Sequence, residues 1–218
     1  MFTIDDKLLD YITACSSSED PVLSELYRET HSKVLYPRMI SGHLQGKLLE
    51  FLSRMIQPAN ILEIGTFTGY SALCLAKGLK PGRKLHTIEI NDELQPVIDK
   101  YIRKAGLQEN VILHSGDARK IIPKLKEKFD LVFIDGDKEQ YLDYYKAAFG
   151  QTRTGGYIIA DNVLWNGKVI FPSKDKETNG IIEFNEFVKK DDRVDKLILP
   201  FRDGLMLIRK TSSSAFVK

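Results

Sequence analysis

The sequence predicts an α/β domain built on a mostly parallel sheet with helices on both faces, its last strand antiparallel, behind an N-terminal helical extension. Three observations carry that prediction. From residue 60, short strand-like runs alternate with stretches long enough for crossover helices, which makes successive strands parallel and their connections right-handed. Leu131-Val132-Phe133-Ile134 and Tyr157-Ile158-Ile159-Ala160 are almost wholly apolar, as strands covered on both faces must be. Leu62-Glu63-Ile64-Gly65-Thr66-Phe67-Thr68-Gly69-Tyr70-Ser71 reads as a buried strand that breaks through two glycines into a helix.

Residues 1–57 read as amphipathic helices, with apolar positions at Leu8, Leu9 and Ile12, at Leu23 and Leu26, and at Leu48, Leu49 and Leu52. Such stripes pack on the domain or on a partner subunit, and a homodimer is expected. Parallel strands follow at 60–64, 84–90, 111–114, 129–134 and 156–160, separated by helices at 70–79, 92–105, 118–126 and 138–149. A last helix spans 176–190. Strands at 194–201 and 204–209 are joined only by Arg202-Asp203, too short for a crossover helix, so they should be antiparallel. The whole chain reads as one domain, with 1–57 a helical cap, 58–210 the core and 211–218 a disordered tail that includes Ser212 to Ser214.

Composition suits that plan. Of 218 residues, 43% are hydrophobic and 28% charged, enough for one sizeable core. No apolar run approaches the ~20 residues of a membrane span. The acidic start Met1-Phe2-Thr3-Ile4-Asp5-Asp6-Lys7 does not resemble a secretory signal, so a cytoplasmic location is expected. Cys15 and Cys74 form no C-x-x-C pair and have no histidine at ligand spacing, which argues against a thiolate metal or redox site. A net charge of +2 predicts no general affinity for nucleic acid.

The glycine turn has G-x-x-x-G spacing. It lacks the G-x-G-x-x-G of dinucleotide sites and the Lys-Ser/Thr of phosphate loops, so nicotinamide, flavin and nucleoside-triphosphate chemistry are disfavoured. Polar side chains stand at the end of each parallel strand: Glu63, Glu89, Asp117, Asp135, and the pair Asp161-Asn162. Any single one could cap a helix, the commoner fate of an Asp after a strand. Together they line the place where open parallel sheets bind ligands. Glu89 ends the strand after the glycine turn, where a carboxylate accepts the hydroxyl protons of a ribose. Asp135, Asp161 and Asn162 offer two carboxylates and an amide carbonyl, hard oxygen donors that suit Mg2+ and not zinc. Lys138 opens the next helix, where the dipole disfavours a cation, so its placement wants another reason.

These residues resemble the cation-dependent O-methyltransferases that use S-adenosylmethionine, the family of catechol and caffeoyl-coenzyme A O-methyltransferases. The resemblance runs from about residue 27 to 210. It rests on the glycine-turn segment, on Phe133-Ile134-Asp135-Gly136-Asp137-Lys138, and on Ala160-Asp161-Asn162-Val163-Leu164-Trp165-Asn166-Gly167. It implies a Rossmann-like seven-stranded sheet with the last strand antiparallel. It also implies that Glu63, Gly65 and Ser71 contact the methionine end of the cofactor, Glu89 the ribose, and Asp117 and Ala118 the adenine. Ser41, Thr66 and Asp135 complete the implied cofactor set, with Ser41 in Met39-Ile40-Ser41-Gly42-His43-Leu44-Gln45-Gly46, a segment resembling one that closes over the cofactor. The implied metal ligands are Asp135, Asp161 and Asn162, for Mg2+ or another divalent cation such as Ca2+ or Mn2+. Lys138 matches the general base, and Trp165 and Asn166 fall on the substrate side. One departure is plain: the acidic residue that catechol enzymes place before the terminal Asp-Gly is absent from Leu199-Pro200-Phe201-Arg202-Asp203-Gly204.

The expected reaction is methyl transfer from S-adenosylmethionine to a hydroxyl of a catechol-like small molecule. An alternative acceptor is a hydroxylated uridine in transfer RNA, gripped by a basic rim of Arg28, Lys33, Arg38, Lys168 and Lys174. A non-catalytic cofactor-binding domain is the third reading.

Overall fold

The chain folds about one seven-stranded sheet in a computed structural model that describes residues 5–212. Residues 213–218 of the expected tail lie outside the described residues. Three helices precede the sheet, α1 (Asp6–Ala14), α2 (Pro21–Lys33) and α3 (Gly42–Ile56). Asp5 and Asp20 cap the first two by accepting hydrogen bonds from the backbone N–H groups of Leu8 and Val22, and Pro21 has no N–H to leave unpaired. The α2 helix buries Leu23, Leu26 and Thr30, and α3 buries Leu49 and Ser53. By contrast, α1 buries nothing: Leu8 stays 48% exposed and Leu9 42%. Of the expected stripe on α1, Leu8 and Leu9 therefore stay exposed and Ile12 is half-buried among the described residues.

The strands are β1 (Asn60–Ile64), β2 (Lys84–Glu89), β3 (Val111–Ser115), β4 (Phe129–Ile134), β5 (Thr152–Ala160), β6 (Val194–Leu199) and β7 (Leu205–Lys210). Their spatial order is β3-β2-β1-β4-β5-β7-β6. The first five are parallel, and β7 runs antiparallel to both β5 and β6, as the sequence predicts. The order reverses between β1 and β4, whose ends lie side by side with Ile64 opposite Ile134.

Connecting helices are α4 (Tyr70–Ala76), α5 (Gln95–Lys104), α6 (Ala118–Ile121), α7 (Tyr141–Gln151) and α8 (Lys176–Lys190). Several are shorter than the sequence suggests, for local reasons. Pro123 reduces the expected helix 118–126 to a single turn and a 3-10 turn at Ile122–Lys124. Lys138 to Gln140 forms a 3-10 turn before α7. The fifth strand starts four residues early, across a bulge between Phe129 and Leu131. Pro200 ends β6, so residues 200–204 and not Arg202-Asp203 alone make the joint to β7.

Each sheet face carries its own core. Phe129, Tyr145, Phe149 and Phe184 fill the face beneath α7 and α8. Leu26, Leu49, Leu75 and Tyr101 fill the opposite face beneath α2 to α5. At about 1.5–3 kcal/mol per fully buried large apolar side chain, these two layers fix the strand ends in place. No helix among the described residues is long and apolar enough to cross a membrane.

Candidate active site

Where the strand order reverses, the glycine turn closes against β4. Gly65 has φ +94°, and a Cβ there would stand 2.2 Å from the Asp135 carbonyl oxygen, so only glycine lets the two strand ends approach. Its N–H donates to the Ile88 carbonyl at 3.0 Å. Thr66 is buried beside it, its hydroxyl 2.5 Å from that of Thr87.

Glu63 is fully buried on β1. Thr87 donates its hydroxyl proton to Glu63 Oε2 at 2.5 Å, and Ser71, the second residue of α4, also hydrogen-bonds this carboxyl. Oε1 is buried without a partner among the described residues. Burial pushes the Glu63 carboxyl up to about 8 against the pull of those two hydroxyls. Burial thus favours the protonated carboxyl, and only a cation placed beside it would restore the ionised form.

Glu89, at the end of β2, accepts backbone N–H bonds from Phe67 at 2.7 Å and Asn91 at 2.9 Å, one on each oxygen. Each oxygen keeps a lone pair for a further donor. Ala118 is buried at the next strand end. Asp117 behaves differently from the others: its carboxylate caps α6 and takes Arg119 N–H, Nε and Nη2 at 2.9–3.1 Å. For that residue the helix cap is the observed role.

Beyond β4 and β5 the acidic pair is assembled. Asp135 is 19% exposed in its side chain, and its Oδ1 accepts from Lys138 Nζ at 2.8 Å. Burial raises the Asp135 carboxyl, the nearby charge of Asp161 adds to that, and Lys138 opposes it. Asp161 Oδ1 accepts from the Asn162 N–H at 2.8 Å, and Asn162 itself sits at φ +58°. Lys138 is only 9% exposed, with its Nζ also donating to the Tyr141 hydroxyl at 2.6 Å. That hydroxyl donates to the Asp161 carbonyl at 2.9 Å and so ties α7 to β5. The ion pair with Asp135 supplies the reason for Lys138 that the helix dipole does not.

Over this pair close the 162–166 and 200–204 loops. Leu164 N–H donates to the Asp203 carbonyl at 2.9 Å, and Asn166 N–H to Asp203 Oδ1 at 2.5 Å. Trp165 puts its ring 6.0 Å from Lys138 Nζ, with its own Nε1 buried and without a partner among the described residues. Asn166 is exposed. Ser41 leaves its side chain free of the α3 cap, while its carbonyl accepts from Arg202.

Four residues near the pair escape a reading of the sequence: Gln45, Tyr141, Arg202 and Asp203. Tyr141 had a signal, since it follows Lys138 by three positions at the start of a helix. The other three are brought in only by the tertiary fold. Among the described residues no group of three His, Cys, Asp or Glu side chains forms a metal cluster. The candidate set has two carboxylates and one amide, and those oxygens fit a hard divalent cation that keeps water or substrate in its shell.

A glycine turn, a reversal of strand order and carboxylates at the strand ends define a doubly wound α/β domain, a class that binds ligands at the carboxyl edge of its sheet. The model of the O-methyltransferase family matches residues 13–211, and the chain belongs to that family. It is 33% identical over 223 residues to the caffeoyl-CoA O-methyltransferase of Eucalyptus gunnii, covering 96% of this chain and 89% of that protein. It is 32% identical to caffeoyl-CoA O-methyltransferase 2 of Petunia hybrida, over 95% of this chain and 91% of that one. Among solved structures, the O-methyltransferase TomG of Streptomyces achromogenes, involved in tomaymycin synthesis and in complex with SAM, superposes with a TM-score of 0.88 at 31% identity, covering 93% and 95% of the two chains. The O-methyltransferase of Bacillus cereus, in complex with SAH, gives the same TM-score and identity over 93% and 96%. The protein is thus an enzyme of methyl transfer to oxygen.

Proposed function

We propose that the protein transfers the methyl group of S-adenosylmethionine to one of two adjacent hydroxyls of a catechol-like small molecule, with a divalent cation held by Asp135, Asp161 and Asn162. The observation that carries this reading is the assembly at one crevice of two acidic strand ends and a buried lysine, Lys138 Nζ being 2.8 Å from Asp135. A phenol with pKa near ~10 is ionised in roughly one molecule per thousand at neutral pH, too few for rapid attack on a sulfonium. A divalent cation held by Asp135, Asp161 and Asn162 would supply the positive charge that stabilises a phenolate. Lys138 stands where it can take the departing hydroxyl proton, its Nζ oriented by Tyr141 and Asp135. Trp165 forms a wall against the acceptor ring, and Asn166 lies at the outer rim.

The decisive experiment incubates the enzyme and radiolabelled S-adenosylmethionine with a catechol and, separately, with a monophenol, each with and without chelator. Label should enter the catechol only without chelator. Equal labelling of the monophenol in chelator overturns the reading. Nothing in the site favours transfer RNA as the acceptor, and of the residues proposed for a basic rim, Lys33 already pairs with Glu29.

For the cofactor, Glu63 is the partner of the methionine ammonium group. At pH 7 a carboxyl whose value lies near 8 is protonated, and an arriving ammonium ion favours its ionised form. Binding of S-adenosylhomocysteine at pH 7 should therefore release a proton, and affinity should weaken as pH falls below about 8. Calorimetry in two buffers of different ionisation enthalpy measures the release; none at pH 7 rules the pairing out. In the same calorimeter, Glu89→Ala should weaken binding roughly ten- to a hundredfold by removing charge-assisted bonds to the ribose.

A second copy of the chain covers α1 in this reading, since Leu8, Leu9 and Tyr11 stay exposed on a helix that buries no residue. Light scattering at micromolar concentration should report twice the chain mass. A single-chain mass refutes the dimer.

A further inference from the structure

Gln45 is the least expected member of the site. It lies on α3, 1% exposed, and its Nε2 donates to Asp161 Oδ2 at 2.5 Å. Its Oε1 accepts from Arg202 Nη1, which also donates to the Ser41 carbonyl. Arg202 holds this position at φ +50°, a backbone conformation that a residue with a long side chain seldom adopts.

The chemistry of the three groups gives the arrangement a direction. A buried amide must satisfy both of its ends. Arginine can only donate hydrogen bonds and a carboxylate can only accept them. With Arg202 on one side and Asp161 on the other, the Gln45 amide has one orientation that works: oxygen toward the guanidinium, nitrogen toward the carboxylate. Flipped, it would set oxygen against oxygen and N–H against N–H. Arg202 thereby fixes which way Gln45 points, and Gln45 fixes Asp161 Oδ2. Asp161 Oδ1 is fixed by the Asn162 N–H at 2.8 Å. Each carboxylate oxygen has one protein donor and retains a lone pair.

We propose that Gln45 and Arg202 are a positioning pair, which holds the Asp161 carboxylate in cation-binding geometry and links cation affinity to the seating of the segment leading into α3. Neither side chain touches the reacting atoms. The inference rests on the proposed role of Asp161 as a cation ligand. Partners that orient a metal ligand are commonly worth 10–100-fold in metal affinity. Because the pair also anchors the Ser41 carbonyl, a bound cation and a seated α3 entry stabilise one another.

Direct binding of Mn2+ to the full chain, followed by electron paramagnetic resonance of the free ion, tests this without turnover. The parent should bind, and Asp161→Ala should not. Gln45→Leu, nearly isosteric, should weaken Mn2+ binding by about 10–100-fold. Arg202→Met should weaken it by roughly tenfold, because the amide is then free to flip. The double variant should be little worse than Gln45→Leu alone, since the two act as a unit. Arg202→Lys should recover most of the affinity, because a single donor nitrogen makes both contacts. Should Gln45→Leu fail to fold, the exposed Arg202 still carries the test through its Met and Lys variants.

A merely structural pair would lower the melting temperature and leave the Mn2+ dissociation constant alone. That outcome, or independent multiplying effects of the two substitutions, overturns the positioning role while the cation reading stands. If the parent itself binds no Mn2+, the cation reading fails and this inference fails with it.

Discussion

Asp161→Ala will lose metal-dependent methyl transfer by about 10³-fold while keeping its affinity for S-adenosylhomocysteine within a few fold, a loss that corresponds to several kcal/mol of transition-state stabilisation. The asymmetry follows from placement. The cofactor contacts proposed at Glu63 and Glu89 come from β1 and β2, whereas Asp161 directly follows β5 on the far side of β4. Removing its carboxylate deletes one of the two charges proposed to hold the cation, and leaves Gln45 Nε2 without its acceptor. The Tyr141 bond to the Asp161 main-chain carbonyl survives, so the strand end keeps its position. Asp161→Asn separates the causes, since it keeps an oxygen near Gln45 but removes the charge. It should remain strongly impaired at ordinary Mg2+ and recover partly as Mg2+ is raised. If Asp161→Ala turns over a catechol normally in excess chelator, the cation site is wrongly placed.

Much of the sheet and the acidic edge was legible because both depend on local pattern. Strand ends fall where apolar runs stop at polar residues, and a parallel sheet gathers those ends on one edge, so Glu63, Glu89, Asp135 and Asp161 could be grouped before their coordinates were known. Local pattern also leaves roles open. Asp117 stands at a strand end like the other carboxylates, and it also caps α6 while Arg119, two residues on, donates to both its oxygens. The stripe on α1 was read correctly as apolar, but periodicity does not say what covers it. Gln45 and Arg202 were illegible for a different reason. Gln45 meets Asp161 across 116 residues and Arg202 across 157, and no spacing rule spans such separations. The burial that lifts Glu63 to about 8 likewise comes from packing around β1, not from its neighbours in sequence.

Lys138→Ala should lower kcat by ~10²–10⁴-fold with little change in cofactor or cation affinity, the range expected for loss of a positioned proton acceptor. The competing account is structural. Lys138 pairs with Asp135 at 2.8 Å and donates to Tyr141 at 2.6 Å, so its removal could act by letting a cation ligand drift. Arginine distinguishes the two. Lys138→Arg keeps a cation that can pair with Asp135 and lie against the Trp165 ring, so it should rescue a structural role. It should not rescue proton acceptance, because a guanidinium stays protonated throughout the working range. The expected pattern is therefore a variant that folds, binds S-adenosylhomocysteine and Mn2+ like the parent, and turns over almost as poorly as alanine. Acceptors should sharpen the contrast: a catechol carrying electron-withdrawing groups ionises more readily and should suffer less from loss of Lys138 than an unsubstituted one. Should both variants methylate a catechol within a few fold of the parent from about pH 6 to 9, Lys138 serves only to hold Asp135, and the cation alone activates the hydroxyl.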